Sequence, residues 1–592
     1  MAHETRTPMS MPVMTDAGGT MQKTIPIENT AQGYLELLRD RGVKYFFGNA
    51  GTDFASLVDG FAKFAEERKP YPRPITVPHE FLGVSMAHGY YMITGEPQVV
   101  MVHVIVGIAN ASGAIMNAAR VNVPVIFSAG RTPFTEVGHI GSRNVQIHWA
   151  QESFDQGSLI REFVKWDYEL KYFSQLESVV DRALAIAMAE PRGPVYLALP
   201  REVLAEAHPE ITFTTGGRQQ IGGALHPDPA QIQEVAKLFA HAEHPLIITA
   251  GVGRDPQAVE ALVMFAESFA IPVVAGLNNM YMNFPTTHPL HLGFDPAPYL
   301  READVVLVID SDVPWFPTVV TPKETARVIQ LRPDPLYSRY PLRGYPTDIA
   351  MAADPAAALR LLTQEMVRYQ GRAKRKIGRR FEALRKEHER QRQGWRELAE
   401  AVKDDKPIDM VWLSACINQV KDAETILINE YDLLLTQVDL DIPGSFFGSS
   451  PASGLGWGVG AALGAKLAAP EKTVIATVGD GSYLFSAPTA SHFVSRAYAL
   501  PIVVVIFNNQ CWNAVRRATQ GVHPQGWAVK TNHFPLTELS PSPAYEMICE
   551  ANGGYGERVE NPEEVVPALQ RALRVVREEK RQAVLNVICR HP

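Results

Sequence analysis

Apolar residues in this chain fall in short runs rather than in long blocks or a single helical stripe. Runs at 43–47, 75–77, 99–104, 123–127 and 195–199 are rich in Val, Ile, Leu and Phe, and stretches of helical spacing separate them. Runs that are apolar on both faces predict strands of a parallel sheet covered by helices on each side. The first helix is predicted to start at a Thr30 cap, pass through Tyr34, Leu37 and Leu38, and end at Gly42. The alternation then restarts twice, with runs at 246–250, 271–275, 305–309 and 327–330, and again at 425–429, 473–478, 502–507 and 583–588. The expectation is an α/β protein of three doubly wound parallel-sheet domains, at 28–205, 226–365 and 407–592. Residues 1–27, rich in Met, Thr, Pro and Gly, are expected to form a mobile arm. Residues 366–406 are expected to form a charged helical linker.

Composition narrows the function classes. The 592 residues fit three domains at roughly 100–200 residues each. Lys plus Arg number 56 against 64 Asp plus Glu, a net charge of −8, which argues against nucleic acid as a partner. The charge-dense stretch at 372–401 therefore reads as a solvated helix. The long uncharged run 99–119 contains His103, Asn110, Ser112 and Asn117 and is too polar to span a membrane. No apolar leader opens the chain, and the four cysteines (416, 511, 549 and 589) form no CxxC pair. A cytoplasmic protein with reduced thiols is expected.

The sharpest chemistry lies in the third block. A strand at 474–478 runs into Gly479-Asp480-Gly481-Ser482, a helix follows, and a second strand at 502–507 runs into Asn508-Asn509. Asp480 and Asn509 thus sit at the carboxyl ends of two strands of one βαβ unit, where open α/β sheets bind ligands. Glycines there let backbone N–H groups approach a phosphate, and the Asp and Asn oxygens suit Mg²⁺.

The GDGS…NN combination resembles the diphosphate- and metal-binding motif of thiamine-diphosphate-dependent enzymes. The resemblance implies Asp480, the Asn509 side chain and the backbone carbonyl of Cys511 as Mg²⁺ ligands, with Gly479, Gly481 and Ser482 at the diphosphate. The first block carries its counterpart. HEFLGVSMAHGYYMITGEPQVVMV, from His79 onward, is similar to a segment of the acetolactate synthase branch. Glu80 would then hydrogen-bond the aminopyrimidine ring and begin the proton relay that forms the cofactor ylid, with His79 beside it. Gly454 and Leu455, in SGLGWG, occupy the place of the loop that props the cofactor in its bent form. Asn110, in VGIAN, matches the Asn of a segment facing the reacting carbon. The resemblance spans about residues 28–592, in the order pyrimidine-binding, central and diphosphate-binding domain. It implies active sites shared between subunits of a homodimer or homotetramer.

Other positions depart from the acetolactate synthases. The central domain lacks their HG element, and Asp310-Ser311-Asp312-Val313 stands where an arginine-bearing contact belongs, so FAD is not expected. Trp512 reads either as a pocket wall or as a core aromatic. Arg131 reads either as a ligand for a substrate carboxylate or as a salt bridge within its domain. His103 and His139 read as proton carriers or as structural histidines, with His103 the one set among the catalytic group. The expected activity is decarboxylation or carboligation of a 2-keto acid through the ylid and enamine. The alternatives are a lyase cleaving 2-hydroxy ketones or 2-hydroxyacyl thioesters, and a non-catalytic relative that keeps the fold.

Overall fold

A computed structural model describes residues 21–591, apart from 218, 220, 221, 277 and 278 and the side chain of residue 372. Most of the predicted arm lies outside the described residues. Its last part corrects the expectation: Gln22–Pro26 is a strand, paired antiparallel with Glu210–Thr214.

Three parallel sheets carry the rest. The first runs, in spatial order, Arg73–Thr76, Tyr45–Gly48, Val99–Val102, Ile126–Arg131, Val195–Pro200 and Asp167–Glu169. The third runs Phe446–Gly448, Thr425–Glu430, Thr473–Gly479, Val503–Asn508, Ala583–Ile588 and Tyr555–Val559. Numbered within each domain, both sheets have the order 2-1-3-4-6-5. The central sheet has five strands in the order 2-1-3-4-5, namely Val273–Val274, Pro245–Thr249, Val305–Ile309, Arg327–Arg332 and Ile349–Ala352. In each sheet the winding reverses between the first and third strands, so a crevice opens at their carboxyl ends.

Within the chain, the first and third domains meet along two glycine-bearing helices, Glu80–Thr94 and Trp457–Ala468. A Cβ at Gly89 would overlap the Ala461 carbonyl, and one at Gly464 would overlap that of Met86. The backbones therefore touch directly, and one apolar cluster runs through both domains, from Val84 and Met86 to Ala461 and Leu463.

The charged linker does not begin at residue 366. It is the distal part of a 47-residue helix, Pro355–Ala401, that starts inside the central domain on an Asp354 cap. Its middle is tied to the central domain by Arg380, which donates to the Ala242 carbonyl at 2.8 Å, and by His388 against the His291 carbonyl at 2.8 Å. Its last turns reach the third domain, through Arg392 to Asp439 at 2.7 Å and Gln437 to the Trp395 carbonyl at 3.1 Å. Among the described residues no helix is long and apolar enough to cross a membrane. All four cysteines are free and buried.

Candidate functional site

In the third domain the crevice between the first and third strands holds the GDGS turn. Asp480 is the first residue of the short helix Asp480–Phe485, at the end of Thr473–Gly479, and is 2% exposed. Its Oδ1 accepts from the Gly481 N–H at 3.0 Å, while its Oδ2 is buried without a partner. Burial pushes its carboxyl up to about 6. Asp432 stands close by, and burial together with Asp480 pushes it up to about 7. A Cβ at Gly479 would lie 2.5 Å from an Asp432 oxygen, so this glycine makes room for the second carboxylate. Asn509 is buried, and its Oδ1 accepts from the Cys511 N–H at 3.0 Å. Gln510 between them has a φ of +57°, which folds the Asn509–Cys511 segment tightly back. An orphaned carboxylate oxygen, a second, half-buried carboxylate and amide oxygens at strand ends are a hard-oxygen set of the kind Mg²⁺ takes. The residues present fit the ion.

Trp512 packs on the GDGS turn. Its ring lies over Gly481, where a Cβ would overlap it, and makes an edge contact with Phe485 at 5.9 Å between centroids. It clamps the GDGS turn, while Ser482 is buried beneath.

In the first domain, Glu80 is the first residue of helix Glu80–Thr94, just past the second strand. It is 8% exposed, and its Oε2 accepts from the Asn110 side-chain amide at 3.2 Å. Asn110 projects from helix Val104–Arg120, so two elements meet at this carboxylate. His79 is the helix cap, its Nδ1 accepting from the Phe81 N–H at 3.2 Å. That contact gives it a structural role at the head of the helix. His103 precedes helix Val104–Arg120, at the end of strand Val99–Val102. Its Nδ1 lies 2.5 Å from Asp53 and its Nε2 lies 3.1 Å from Gln151.

The loop bearing Leu455 is held from both domains. Asn117 takes the Gly454 peptide with both ends of its amide, accepting from the N–H at 3.0 Å and donating to the carbonyl at 2.8 Å. The buried carboxylate of Glu430 accepts from Gly456 and Gly458 at 2.7 and 2.6 Å. Gly456, at φ +94°, leaves no room for a side chain against the Phe485 carbonyl. Leu455 is thereby presented, half-buried, from a fixed backbone.

Two further residues lie apart from these. Arg131 is engaged by Glu152 at 3.0 Å and Glu169 at 3.1 Å, the salt-bridge alternative, and is not free to take a substrate carboxylate. His139 lies exposed on the surface loop after Arg131. In the central domain, Asp310 is paired with Arg254 at 3.5 Å and Arg332 at 3.4 Å, and Arg332 stacks on Tyr337. The space left among them is about 20 Å³, room for one water. Asp53, Asn117, Glu430, Asp432 and Gln151 escape a reading of the sequence, since each acts on a partner far along the chain.

Two doubly wound domains that each open a polar crevice, one lined by hard oxygens and one built around an acid at a helix head, define a cofactor-dependent enzyme of three α/β domains. Comparison identifies which. Residues 28–159 match the N-terminal TPP binding domain of thiamine pyrophosphate enzymes, 232–362 their central domain and 431–587 their C-terminal TPP binding domain. The chain belongs to the thiamine pyrophosphate enzyme family, whose cofactor is thiamine diphosphate. It is 27% identical to benzoylformate decarboxylase of Pseudomonas aeruginosa, over 81% of this chain and 86% of that one. It is 25% identical to sulfoacetaldehyde acetyltransferase of Castellaniella defragrans, over 94% and 93%. It is 23% identical to the acetolactate synthase large subunit of Haemophilus influenzae, over 92% of each. The fold is shared with the thiamine diphosphate-dependent 4-hydroxybenzoylformate decarboxylase of Rhodococcus jostii, with a TM-score of 0.76 at 23% identity over 95% of this chain and 99% of that one.

Proposed function

We propose that the protein is a thiamine-diphosphate- and Mg²⁺-dependent enzyme that decarboxylates a 2-keto acid, with or without transfer of the remaining carbon unit to a second carbonyl. The observation that carries this reading is the pair of preserved acids. Glu80 is buried at a helix head with one oxygen on Asn110, and Asp480 keeps an unpartnered buried oxygen in a cation-fitting cradle. A non-catalytic relative has no use for either. The named activities of the decarboxylase, acetyltransferase and synthase relatives support the same chemistry.

Asp480, Asn509 and the Cys511 carbonyl would hold Mg²⁺, and Gly479, Gly481 and Ser482 would face the diphosphate. Leu455 would support the middle of the cofactor, and Glu80 would hold a proton at its pyrimidine ring. Thiamine diphosphate supplies a carbon nucleophile and a sink for the electron pair that departing CO₂ leaves behind. Around the reacting carbon, Asn110 and His103 are this chain's polar groups. The assembly is a homodimer or a larger homo-oligomer that completes its sites between copies. Exposed Val137, Ile140 and Phe154 on the first domain and Val522, Trp527 and Leu536 on the third are apolar surface that a second copy would cover. The four buried free thiols support a cytoplasmic location.

The test is an assay with thiamine diphosphate and Mg²⁺, offering pyruvate, benzoylformate and longer 2-keto acids, each with and without an acceptor aldehyde. Release of CO₂ from at least one acid is expected. Cleavage of a 2-hydroxy ketone with no CO₂ from any acid would replace this reading with the lyase.

A further inference from the structure

The first domain buries a carboxylate that the reading above leaves unused. Asp53 follows the turn after strand Tyr45–Gly48 and is 3% exposed. It sits at the winding reversal of its sheet, between the ends of strands Tyr45–Gly48 and Val99–Val102, where such sheets receive ligands. Its Oδ1 lies 2.5 Å from His103 Nδ1, and its Oδ2 accepts from the Val104 N–H at 3.4 Å. One carboxylate thus holds both the ring and the peptide that carries it. That peptide is strained, for Val104, a β-branched residue, has a φ of +34°. Such a conformation is unfavourable and persists where its surroundings impose it. Two glycines make the pocket: a Cβ at Gly51 would overlap the His103 ring, and one at Gly130 would overlap the Asp53 carboxylate.

The far side of the ring completes the picture. His103 Nε2 faces the Gln151 side-chain oxygen at 3.1 Å, so both ring nitrogens meet acceptors. Glu80, at the head of the neighbouring helix, adds a second negative charge. Behind Asp53, His148 is bonded to Thr52 and Arg201, and burial holds it below the ordinary imidazole range.

We propose that Asp53 is the positioning residue of His103, holding Nδ1–H inward so that Nε2–H is presented, charged, to the substrate. The inference deepens the proposed function and rests on it for the substrate. In the overall change a 2-keto carboxylate and one proton become CO₂ and an aldehyde. The Nε2 proton takes the place of the carboxyl group, the electron pair of the broken C–C bond becomes the new C–H bond, and water returns a proton to His103. Asp53 transfers nothing. Its hydrogen bond, the largest influence on the ring, raises the imidazole above its ordinary range.

Diethylpyrocarbonate attacks only neutral imidazole, so the pH dependence of His103 modification, read on its peptide by mass spectrometry, reports its charge without turnover. In the wild-type protein the midpoint is expected above the ordinary value of about 6.5. In Asp53→Asn it falls by about one pH unit or more. Gly130→Ala, which crowds the same carboxylate with Asp53 still present, lowers it too. On a 2-keto acid, Asp53→Asn lowers kcat about 10²-fold with KM little changed, and moves the alkaline limb of kcat to lower pH. A wild-type midpoint at or below 6.5, or one that both variants leave in place, overturns the proposal. If Asp53→Asn does not fold, the wild-type midpoint and Gly130→Ala decide it. A protein that titrates as expected yet turns over no keto acid keeps the dyad and loses the proposed function.

Discussion

Glu80 and Asp480 are both buried carboxylates at the first position of a helix, yet they face opposite demands. Glu80 has an amide donor on one oxygen and would serve as an acid at the cofactor ring, so it needs an exchangeable proton. Asp480 has an orphaned oxygen and would serve as a ligand, so it needs a full negative charge. The two isosteric amides separate these roles. Glu80→Gln is expected to cut activity by about 10²-fold or more with cofactor affinity nearly unchanged. Asp480→Asn is expected to weaken thiamine diphosphate binding and to regain part of it as Mg²⁺ is raised; calorimetric titration of both variants checks the contrast. These two residues were legible in the sequence because each comes within four residues of a strand's end and joins a local motif. Asn117 was not, because the peptide it grips is that of Gly454, 337 residues away. His79 shows the opposite case. It adjoins Glu80 in the chain, but a ring nitrogen one residue before a helix finds a backbone N–H first.

At the scale of elements, glycine has two opposite meanings in this molecule. Gly464 lies where helix Trp457–Ala468 touches the backbone of helix Glu80–Thr94, and neither main chain can yield to a methyl group. Gly378 and Gly394 lie within helix Pro355–Ala401 with open space around them. Gly464→Ala is therefore expected to destabilise by about 1–3 kcal/mol. Gly378→Ala and Gly394→Ala should each stabilise by roughly 0.5–1 kcal/mol, since helical alanine loses less chain entropy on folding. Denaturant unfolding of the three variants measures both signs. The long, fully apolar strands could be read from their runs, but three short edge strands could not. Phe446–Gly448 and Asp167–Glu169 have three residues each, and Tyr555–Val559 is YGERV, a sequence with no apolar run. Such segments become strands because a neighbour offers its ladder, which a local pattern does not record.

For the whole molecule, sharing of sites between copies makes a sharp prediction. Glu80→Gln and Asp480→Asn are each expected to be nearly inactive alone. In a two-fold dimer with shared sites, a hybrid carries both defects in one site and none in the other. Unfolding and refolding an equal mixture of the two variants should restore about a quarter of wild-type activity, the share expected when random pairing makes half the dimers hybrid. Variants that fail to complement would place each site within a single chain. The matching strand order of the first and third sheets suits the shared arrangement, because each presents the same kind of crevice from one side.

The 47-residue helix has a consequence of another kind. At about 1.5 Å per residue it is a rod of roughly 70 Å, fastened to the central domain by Arg380 and His388 and to the third domain by Arg392 and Trp395. A rod fastened at two stations fixes an angle as well as a length. One residue inserted between the stations would turn one set of fastenings by about 100° relative to the other. Seven residues would bring them nearly back into phase, about 10 Å further along. Between residues 388 and 392 the chain therefore behaves like a keyed shaft, in which the number of residues matters more than their identity.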